Sequence, residues 1–351
     1  MNLPDQRKKH RITSLDIADR AGVSQATVSR VLSGSTLVSP ETRRRVEEAV
    51  RDLNYKVDRH ASSLRTQRAS TLALLLFEDP TADDSGINPF FLAILGSVTR
   101  AAARHGQDLL VSFQQFSDDW HADYEDSMKA DGLILLGYGD YVTHRAKLEL
   151  LVAQDTHFVR WGAVLPDQPG ITLGCDNVAG GRLAGEHLAA IGRCHVAFIG
   201  DASEHAPEFQ ARHTGFVEAM AEAGVEVDPA LQVDAESTEE SGYAAAQVLL
   251  ARGLPFDGIF AACDTIALGA MRALREHGLR VPDDVAVVGF DGIPIAAYAT
   301  PPLTTVAQNT AAAGERLVGA LMAQIRGQPV EQVMLAPSLI VRDSSHPQAK
   351  A

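Results

Sequence analysis

A short stretch near the N-terminus carries hydrogen-bonding side chains interleaved with small apolar ones. The polar members are Ser24, Gln25, Thr27, Ser29 and Arg30. The apolar members are Ala26, Val28, Val31 and Leu32. Short hydroxyls, planar amides and guanidinium groups can hydrogen-bond to base edges and to phosphate oxygens. The stretch therefore predicts a helix that packs by one face and contacts DNA by the other.

A second set of polar and aromatic side chains recurs later in the chain, next to short apolar runs. Its members are Asp79, Phe90, Phe91, Trp161, Asp176, Phe209, Arg212, Asp264 and Asp291. A carboxylate accepts hydrogen bonds from two hydroxyls, an arginine donates two, and an aromatic ring packs on the C–H face of a pyranose. The combination predicts a sugar site. An aspartate between a strand and a helix also commonly caps that helix, and for Asp176 and Asp264 this alternative stays open.

The first set of side chains needs a helical scaffold, and the surrounding residues supply its signals. Thr13 caps a predicted first helix, and Gly22 provides the left-handed conformation of a tight turn. Ser24 then caps the second helix, and Ser39-Pro40 begins a third. The expected inward residues of the first helix are Leu15, Ile17, Ala18 and Ala21. The pattern predicts a helix-turn-helix.

Charge divides the chain into two parts. Residues 1–70 carry 14 Lys and Arg against 8 Asp and Glu, whereas the remainder carries 17 against 37, for a net charge of −14. A basic head is attracted to phosphates, and an acidic body repels them. The imbalance indicates that contact with nucleic acid is limited to the head.

From residue 71 onward, continuously apolar runs alternate with amphipathic segments. The predicted strands are 71–77, 108–113, 131–137, 195–200, 257–262 and 285–290, and the predicted helices are about 90–105, 177–191, 208–223, 239–252, 264–277 and 308–326. Apolar runs of this length are typical of strands buried on both faces, so we expect a doubly wound α/β body. About 270 residues exceed a comfortable single core, which predicts two lobes with a ligand cleft at the carboxyl ends of the strands.

Composition and motifs exclude several other classes of protein. The N-terminal stretch is polar and basic, and no apolar run would span a bilayer, so we expect a cytoplasmic protein with no membrane partner. Three widely spaced cysteines, Cys175, Cys194 and Cys263, predict reduced, buried thiols. The twelve histidines show no ligand spacing to cysteines, so neither a metal nor a cofactor is expected. The sequence contains no glycine-rich phosphate loop, no serine-centred nucleophile elbow and no His-Glu metal motif, so an enzyme is not expected.

These residues resemble the lactose-repressor/galactose-repressor (LacI/GalR) family of bacterial transcription regulators over roughly residues 11–343. The head matches in ITSLDIADRAGVSQATVSRVLSG and in DLNY, and the body matches in CDNVAGGR, ARHTGF, CDTIALGA, VPDDVAVVGFD and PPLTTVAQ. The resemblance implies a small all-α helix-turn-helix head (11–57) and a hinge (58–70). It also implies a two-lobed α/β body of the periplasmic-binding-protein type (71–343), which binds an effector and dimerises.

The resemblance also implies roles for individual head residues. Gln25, Ala26 and Arg30 match positions that read bases, whereas Ser24, Thr27 and Ser29 match positions used on phosphates. Leu64, in the hinge, matches a side chain that wedges into the minor groove.

In the body, the resemblance places Asp176, Arg212, Asp264 and Asp291 in the cleft, with Phe90 and Trp161 flanking the ligand. It implies an N-terminal lobe of residues 71–173 with a return near 303–330. The C-terminal lobe would then comprise about 174–300 and the last strand.

Together, the residues and the resemblance predict a homodimeric repressor that binds a near-palindromic operator and is released by a mono- or disaccharide. The alternative within the family is a corepressor-type regulator that binds DNA with a purine or another metabolite. The acidic cleft residues disfavour phosphorylated effectors, which would need more arginine or lysine. A sugar-transport binding protein is the rival from another class, and the head and the absence of an export signal argue against it.

Overall fold

The computed structural model describes residues 12–32, 35–55, 68–76, 87–113, 119–137 and 139–346. The chain divides into two compact units, residues 1–68 and residues 69–351. Among the described residues, the first unit has one small hydrophobic core and the second has two larger ones.

The first unit contains three helices in its described part: α1 (Ser14–Ala21), α2 (Gln25–Leu32) and α3 (Pro40–Asp52). The predicted start and stop signals are confirmed. Thr13 and Asp16 cap α1 reciprocally, with Thr13 N donating to Asp16 Oδ2 at 2.7 Å. Gly22 ends the helix at a φ of 62°, a left-handed conformation that costs glycine little. Ser39 caps α3 by accepting a hydrogen bond from Thr42 N.

The core of the first unit joins one face of each helix. Its buried members are Ile17, Ala18, Ala21, Val28, Val31, Val46 and Ala49. The prediction that Leu15 points inward is wrong, because its side chain is 57% exposed. Leu15 precedes Ile17 by two positions, which is roughly 200° around a helix of 3.6 residues per turn, so the two residues occupy opposite faces.

In the second unit, the first lobe is built on a six-stranded sheet. Its elements are β1 (Thr71–Leu76), α4 (Pro89–Arg104), β2 (Asp108–Phe113), a π-helix (Ala122–Asp126), β3 (Leu133–Leu136), α5 (Tyr141–Ala153), β4 (Phe158–Trp161) and β5 (Ile171–Cys175). The strand order is β11-β5-β4-β3-β1-β2, where β11 (Val333–Leu335) comes from the end of the chain, and all pairs are parallel.

The second lobe is built on another six-stranded sheet. Its elements are α6 (Asn177–Ala190), β6 (Val196–Ile199), α7 (Pro207–Glu222), a 3-10 turn (Pro229–Leu231), β7 (Gln232–Val233), α8 (Glu239–Ala251), β8 (Gly258–Ala261), α9 (Asp264–Glu276), β9 (Ala286–Asp291), a 3-10 turn (Pro294–Tyr298), β10 (Thr304–Ala307) and β12 (Ser338–Ile340). The order is β12-β10-β9-β8-β6-β7, with β12 antiparallel to its neighbour.

The chain passes between the lobes three times: after β5, after β10 and after β11. The helix that returns to the first lobe, α10 (Thr310–Ile325), packs on α4. The predicted position at which the chain returns to the first lobe, near residue 303, is wrong by one strand. Residues 304–307 pair in parallel with β9 in the second lobe, and the chain leaves that lobe only after them.

The strands β1, β3, β6, β8 and β9 are buried on both faces, as their continuous apolar character predicts. The same prediction for residues 108–113 is wrong: β2 is largely exposed, because it lies at the edge of the first sheet and has a neighbouring strand on one side only. In the second sheet the order of strands reverses between β6 and β8. At such a switch point the loops that follow the two strands diverge and leave a crevice for a ligand. No helix in the described ranges combines the length and the apolar character that crossing a bilayer requires.

Candidate functional site

The polar residues of the head lie on α2 and at its start. Ser24, Gln25, Ala26 and Arg30 are exposed, whereas Val28 and Val31 are buried in the core of the unit. This division follows the predicted apolar and polar faces except at Ala26, which belongs to the apolar set in the sequence but is exposed beside the polar residues. The exposed face therefore presents an amide, a methyl group and a guanidinium group to an approaching partner.

Two of these residues also have local structural partners. Gln25 Nε2 donates to Ser14 Oγ on α1 at 2.8 Å, which restrains the side chain between the two helices. Ser24 Oγ accepts from Thr27 N at 3.2 Å and lies 2.9 Å from Thr27 Oγ1, so Ser24 acts as the cap of α2. The role of Ser14 has no sequence signal of its own, because it depends on the angle between α1 and α2.

Two residues of the predicted sites, Leu64 and Asp79, fall outside the described residues. Their assignments to a minor-groove wedge and to the effector cleft stay predictions.

In the second lobe, Arg212 is the centre of a buried polar cluster. Its side chain is 1% exposed and extends from α7 toward the end of β8. Nη1 donates to the carbonyl of Ala262 at 2.5 Å and lies 3.5 Å from Asp291 Oδ1, while Nε donates to Asn177 Oδ1 at 2.9 Å. The guanidinium also stacks on the Phe290 ring, with 3.8 Å between Cζ and the ring centroid. The cluster thus lies at the switch point between β6 and β8.

Asp291 lies at the end of β9 in a strained backbone conformation. Its φ of 112° is one that a residue with a side chain rarely adopts, and such strain persists only where the surroundings impose it. Gln308 holds the residue twice: its Nε2 donates to Asp291 Oδ1 at 2.7 Å, and its backbone N donates to Asp291 O at 3.2 Å. Gln308 therefore belongs to the site, although sequence reasoning did not single it out. Its place as the last residue of the body motif PPLTTVAQ was the available signal.

Asp264, the first residue of α9, is fully buried behind this cluster. Its Oδ2 accepts from the backbone N of Ile293 at 2.8 Å and so ties α9 to the turn that follows β9. Burial and the nearby charge of Asp291 raise the pKa of Asp264 to about 8, although hydrogen bonds from Thr305 and from backbone amides act to lower it. The geometry assigns it a supporting place, and its direct contact with an effector stays a prediction.

Asp176 acts as a helix cap. Its Oδ1 accepts from Ala179 N at 2.9 Å at the start of α6. The neighbouring Asn177 is buried and bridges Arg212 to the carbonyl of Cys175, through bonds of 2.9 Å and 3.1 Å. Sequence reasoning chose the aspartate of this Asp-Asn pair, whereas the structure places the asparagine in the polar cluster. Both residues lie at the crossing from the first lobe to the second.

The aromatic candidates are all buried. Phe209 lies one turn before Arg212 and packs under its guanidinium, with 5.2 Å between Cζ and the ring centroid. Phe90, Phe91 and Trp161 belong to the first lobe, at the start of α4 and the end of β4. The predicted residues that the structure describes are therefore divided between the lobes. Their charged groups lie in the second lobe or at the crossing into it, and three of the four aromatic rings lie in the first.

The cysteines only partly follow expectation. All three are free thiols, and Cys175 and Cys263 are buried, but Cys194 is exposed on the turn before β6, so the prediction that all are buried is wrong. Burial raises the pKa of both Cys175 and Cys263 to about 12, which keeps these thiols neutral. Across the described ranges, no three His, Cys, Asp or Glu side chains form a group that could hold a metal ion.

The arrangement is suited to binding an uncharged, hydroxyl-bearing molecule. A guanidinium group, a carboxylate and a primary amide offer donors and acceptors in fixed positions, and packing against aromatic rings limits their movement. Because Arg212 and Asp291 largely compensate each other's charge, the cluster does not present a net positive site for a phosphate.

Comparison with known proteins gives matches over nearly the whole chain. Residues 13–58 match the family described as bacterial regulatory proteins, lacI family, and residues 186–345 match a periplasmic binding protein-like domain. The HTH-type transcriptional regulator CelR of Thermobifida fusca is 34% identical over 345 residues, covering 96% of this chain and 99% of CelR. The HTH-type transcriptional repressor PurR of Mannheimia succiniciproducens is 30% identical over 338 residues, covering 95% of this chain and 98% of PurR.

Solved structures are similar over the same length. A complex of the transcriptional regulator CelR with cellobiose superposes with a TM-score of 0.70 at 33% identity, covering 95% of this chain and 100% of the other. A lac repressor dimer bound to operator and the anti-inducer ONPF gives a TM-score of 0.80 at 27% identity, covering 95% of this chain and 99% of the repressor chain.

Proposed function

The chain belongs to the LacI family of DNA-binding transcriptional regulators, and from that premise we propose that it is a repressor released from its operator by a sugar. The family consists of regulators rather than enzymes. The observation that carries the effector part of the proposal is the buried cluster of Arg212, Asp291 and Gln308 at the switch point of the second sheet.

The DNA-binding part of the proposal assigns α2 to the major groove of one operator half-site. Arg30 and Ala26 would contact bases, since both lie on the exposed face of the helix and match base-reading positions. Leu64 would wedge into the minor groove. The proposed regions are a DNA-binding domain at 11–57, a hinge at 58–70 and an effector-binding body at 71–343. The family match at 13–58 and the division of the chain after residue 68 support these boundaries.

The assembly is proposed to be a homodimer. The similarity to a lac repressor dimer bound to operator supports this, because two heads related by a twofold axis match a near-palindromic site. Effector binding would change the closure of the lobes and thereby the separation of the two hinges. The affinities for effector and operator are then coupled reciprocally.

The effector is proposed to be a mono- or disaccharide, because a CelR structure that is 33% identical to this chain has been solved with cellobiose. Thermal unfolding of the full chain should be followed with cellobiose, maltose, glucose, hypoxanthine and guanine. A ligand at 100 times its Kd stabilises the folded state by about 2.7 kcal/mol, so a saturating sugar should raise Tm by several degrees. The same sugar should release operator DNA. Stabilisation by a purine alone, with tighter operator binding, would replace this proposal by the corepressor alternative.

Arg30→Ala is expected to lower operator affinity by about 5- to 150-fold, because a bidentate arginine contact to guanine contributes about 1–3 kcal/mol of discrimination. Fluorescence anisotropy on an operator recovered by in vitro selection, and on a random duplex, measures the effect. Arg44→Ala is the matched control, since it removes the same charge from an exposed position on α3. Equal losses on both duplexes for Arg30→Ala would show that Arg30 contacts only phosphates.

A further inference from the structure

A segment of the second lobe touches the first lobe directly, away from the three chain crossings. It comprises residues 205–208, the last two residues of the loop after β6 and the first two of α7. The carbonyl of His205 accepts from Tyr141 N at 2.9 Å, and Glu208 Oε1 accepts from Ala163 N at 2.8 Å. Both donors are backbone amides of the first lobe, at the start of α5 and just after β4. The two bonds link the lobes across their facing edges.

Charged side chains reinforce both bonds. His205 Nδ1 lies 3.0 Å from Asp140 Oδ1, which joins the lobes by an ion pair when the imidazole is protonated. At the other bond, Arg160 Nη2 donates to Ala163 O at 3.2 Å and attracts the buried Glu208. Gly162 makes room for this approach, since a Cβ there would lie 2.8 Å from Glu208 Oε1 and 2.9 Å from Arg160 Nη2. The first lobe is thus shaped to receive the segment.

The same helix connects this contact to the candidate effector cluster. Glu208 and Arg212 are four residues apart on α7, so they lie on one face of it, one turn from each other. A ligand that engages Arg212 acts on the helix turn that carries Glu208. The interlobe contact and the effector site therefore share a rigid element.

We propose that residues 205–208 are a clasp that holds the lobes closed, and that the charge of His205 sets its strength. The proposal rests on the proposed function in one respect, that lobe closure is what the effector controls. Protonation of His205 would then influence lobe closure in addition to the effector, because His205 is the member of the clasp that changes charge near neutral pH. Closure should then be stronger in mildly acidic than in mildly alkaline solution.

The direction of this pH dependence follows from the titratable groups that face His205. The hydrogen bond and the charge of Asp140 raise the pKa of His205, with smaller contributions from Asp201 and Glu204 on its own loop. Partial burial works to raise the pKa of Asp140, but hydrogen bonds from Thr143 and His205 outweigh it and bring that pKa to about 2. His144, on the same helix as Asp140, has its pKa lowered by burial and stays neutral. The ion pair is therefore complete below the ordinary histidine pKa and is lost as pH rises through the raised pKa of His205.

Hydrogen exchange of the full chain tests the clasp without any ligand, because two of its bonds use backbone amides. Protection of the Tyr141 and Ala163 amides, corrected for intrinsic rates, should fall about two- to fivefold between about pH 6 and pH 8.5, as expected for a solvent-exposed ion pair. His205→Gln and Asp140→Asn should show low protection at both pH values. His205→Lys should show high protection at both, because its charge persists.

His195→Gln is the matched control, since it removes an exposed histidine elsewhere in the same lobe and should behave as the wild type. A wild-type protection that does not change with pH, or a His205→Gln variant that keeps the change, would overturn the clasp. If the exchange results are as expected and no sugar stabilises the protein, the clasp stands and only the proposed effector class fails.

Discussion

Replacement of Arg212 by alanine is expected to reduce the free energy of unfolding by about 3–5 kcal/mol and to abolish the response to effector. The side chains of Arg212 and Asp291 are each 1% exposed, so the variant would leave a carboxylate buried without its cation. The carbonyl of Ala262 and the amide oxygen of Asn177 would lose their donors as well. The expected loss is large because several buried groups are left unsatisfied at once.

Urea unfolding, followed by tryptophan fluorescence and circular dichroism, measures the stability change, and release of operator by the stabilising sugar measures the response. Arg280→Ala is the control: this arginine is 67% exposed and pairs with Asp284 at the surface, so its loss should leave the urea midpoint nearly unchanged. Arg212→Lys keeps the charge without the planar fork and should stay folded yet respond poorly. Wild-type stability and response in Arg212→Ala would refute the central role of this side chain.

Asp264→Asn is expected to remove much of the pH dependence of stability. The pKa of Asp264 is raised to about 8, so between about pH 4 and pH 8 the folded protein keeps a proton that the unfolded chain releases. Wild-type stability should therefore decline as pH rises through this interval. The asparagine is neutral throughout and can still accept from Ile293 N, so at about pH 8.5 the variant should be more stable than the wild type by about 2–5 kcal/mol.

Urea midpoints at about pH 5 and pH 8.5 test this expectation in the full chain. Asp283→Asn serves as a control, because it removes an exposed carboxylate of the same lobe and should follow the wild-type pH dependence. If Asp264→Asn declines with pH as steeply as the wild type, then Asp264 is ionised in the folded protein and other groups cause the decline.

Elements with strong local signals were predictable from the sequence. The capped helices of the head and the six predicted strands of the body have the expected places, because caps, left-handed glycines and apolar runs act over a few residues. The strands β4, β5 and β10 were not among those predicted. Helix α5 was not predicted, since it buries only Tyr141, Leu148 and Leu151 and so lacks a regular apolar period. The strands β7, β11 and β12 have two or three residues each, too few for any pattern.

The same distinction applies to the candidate site: residues with a recognisable local context were predicted, and their partners from distant parts of the chain were not. Arg212, Asp264 and Asp291 could be chosen because charged residues beside apolar runs are conspicuous. Gln308 and Asn177 could not be recognised as their partners, because they lie 17 residues after Asp291 and 35 residues before Arg212 in the chain.

The sequence by itself determined that a basic helix-turn-helix head precedes an acidic α/β body, and which residues could bind DNA or a sugar. Helix caps, charge balance and hydrophobic periodicity need only neighbouring residues to be read. The tertiary structure decided that Asp264 supports the site from behind, that Gln308 and Asn177 complete it, and that residues 205–208 meet the first lobe. Burial and pairing across the chain depend on strand order and on where the chain crosses between lobes, and no local pattern encodes either.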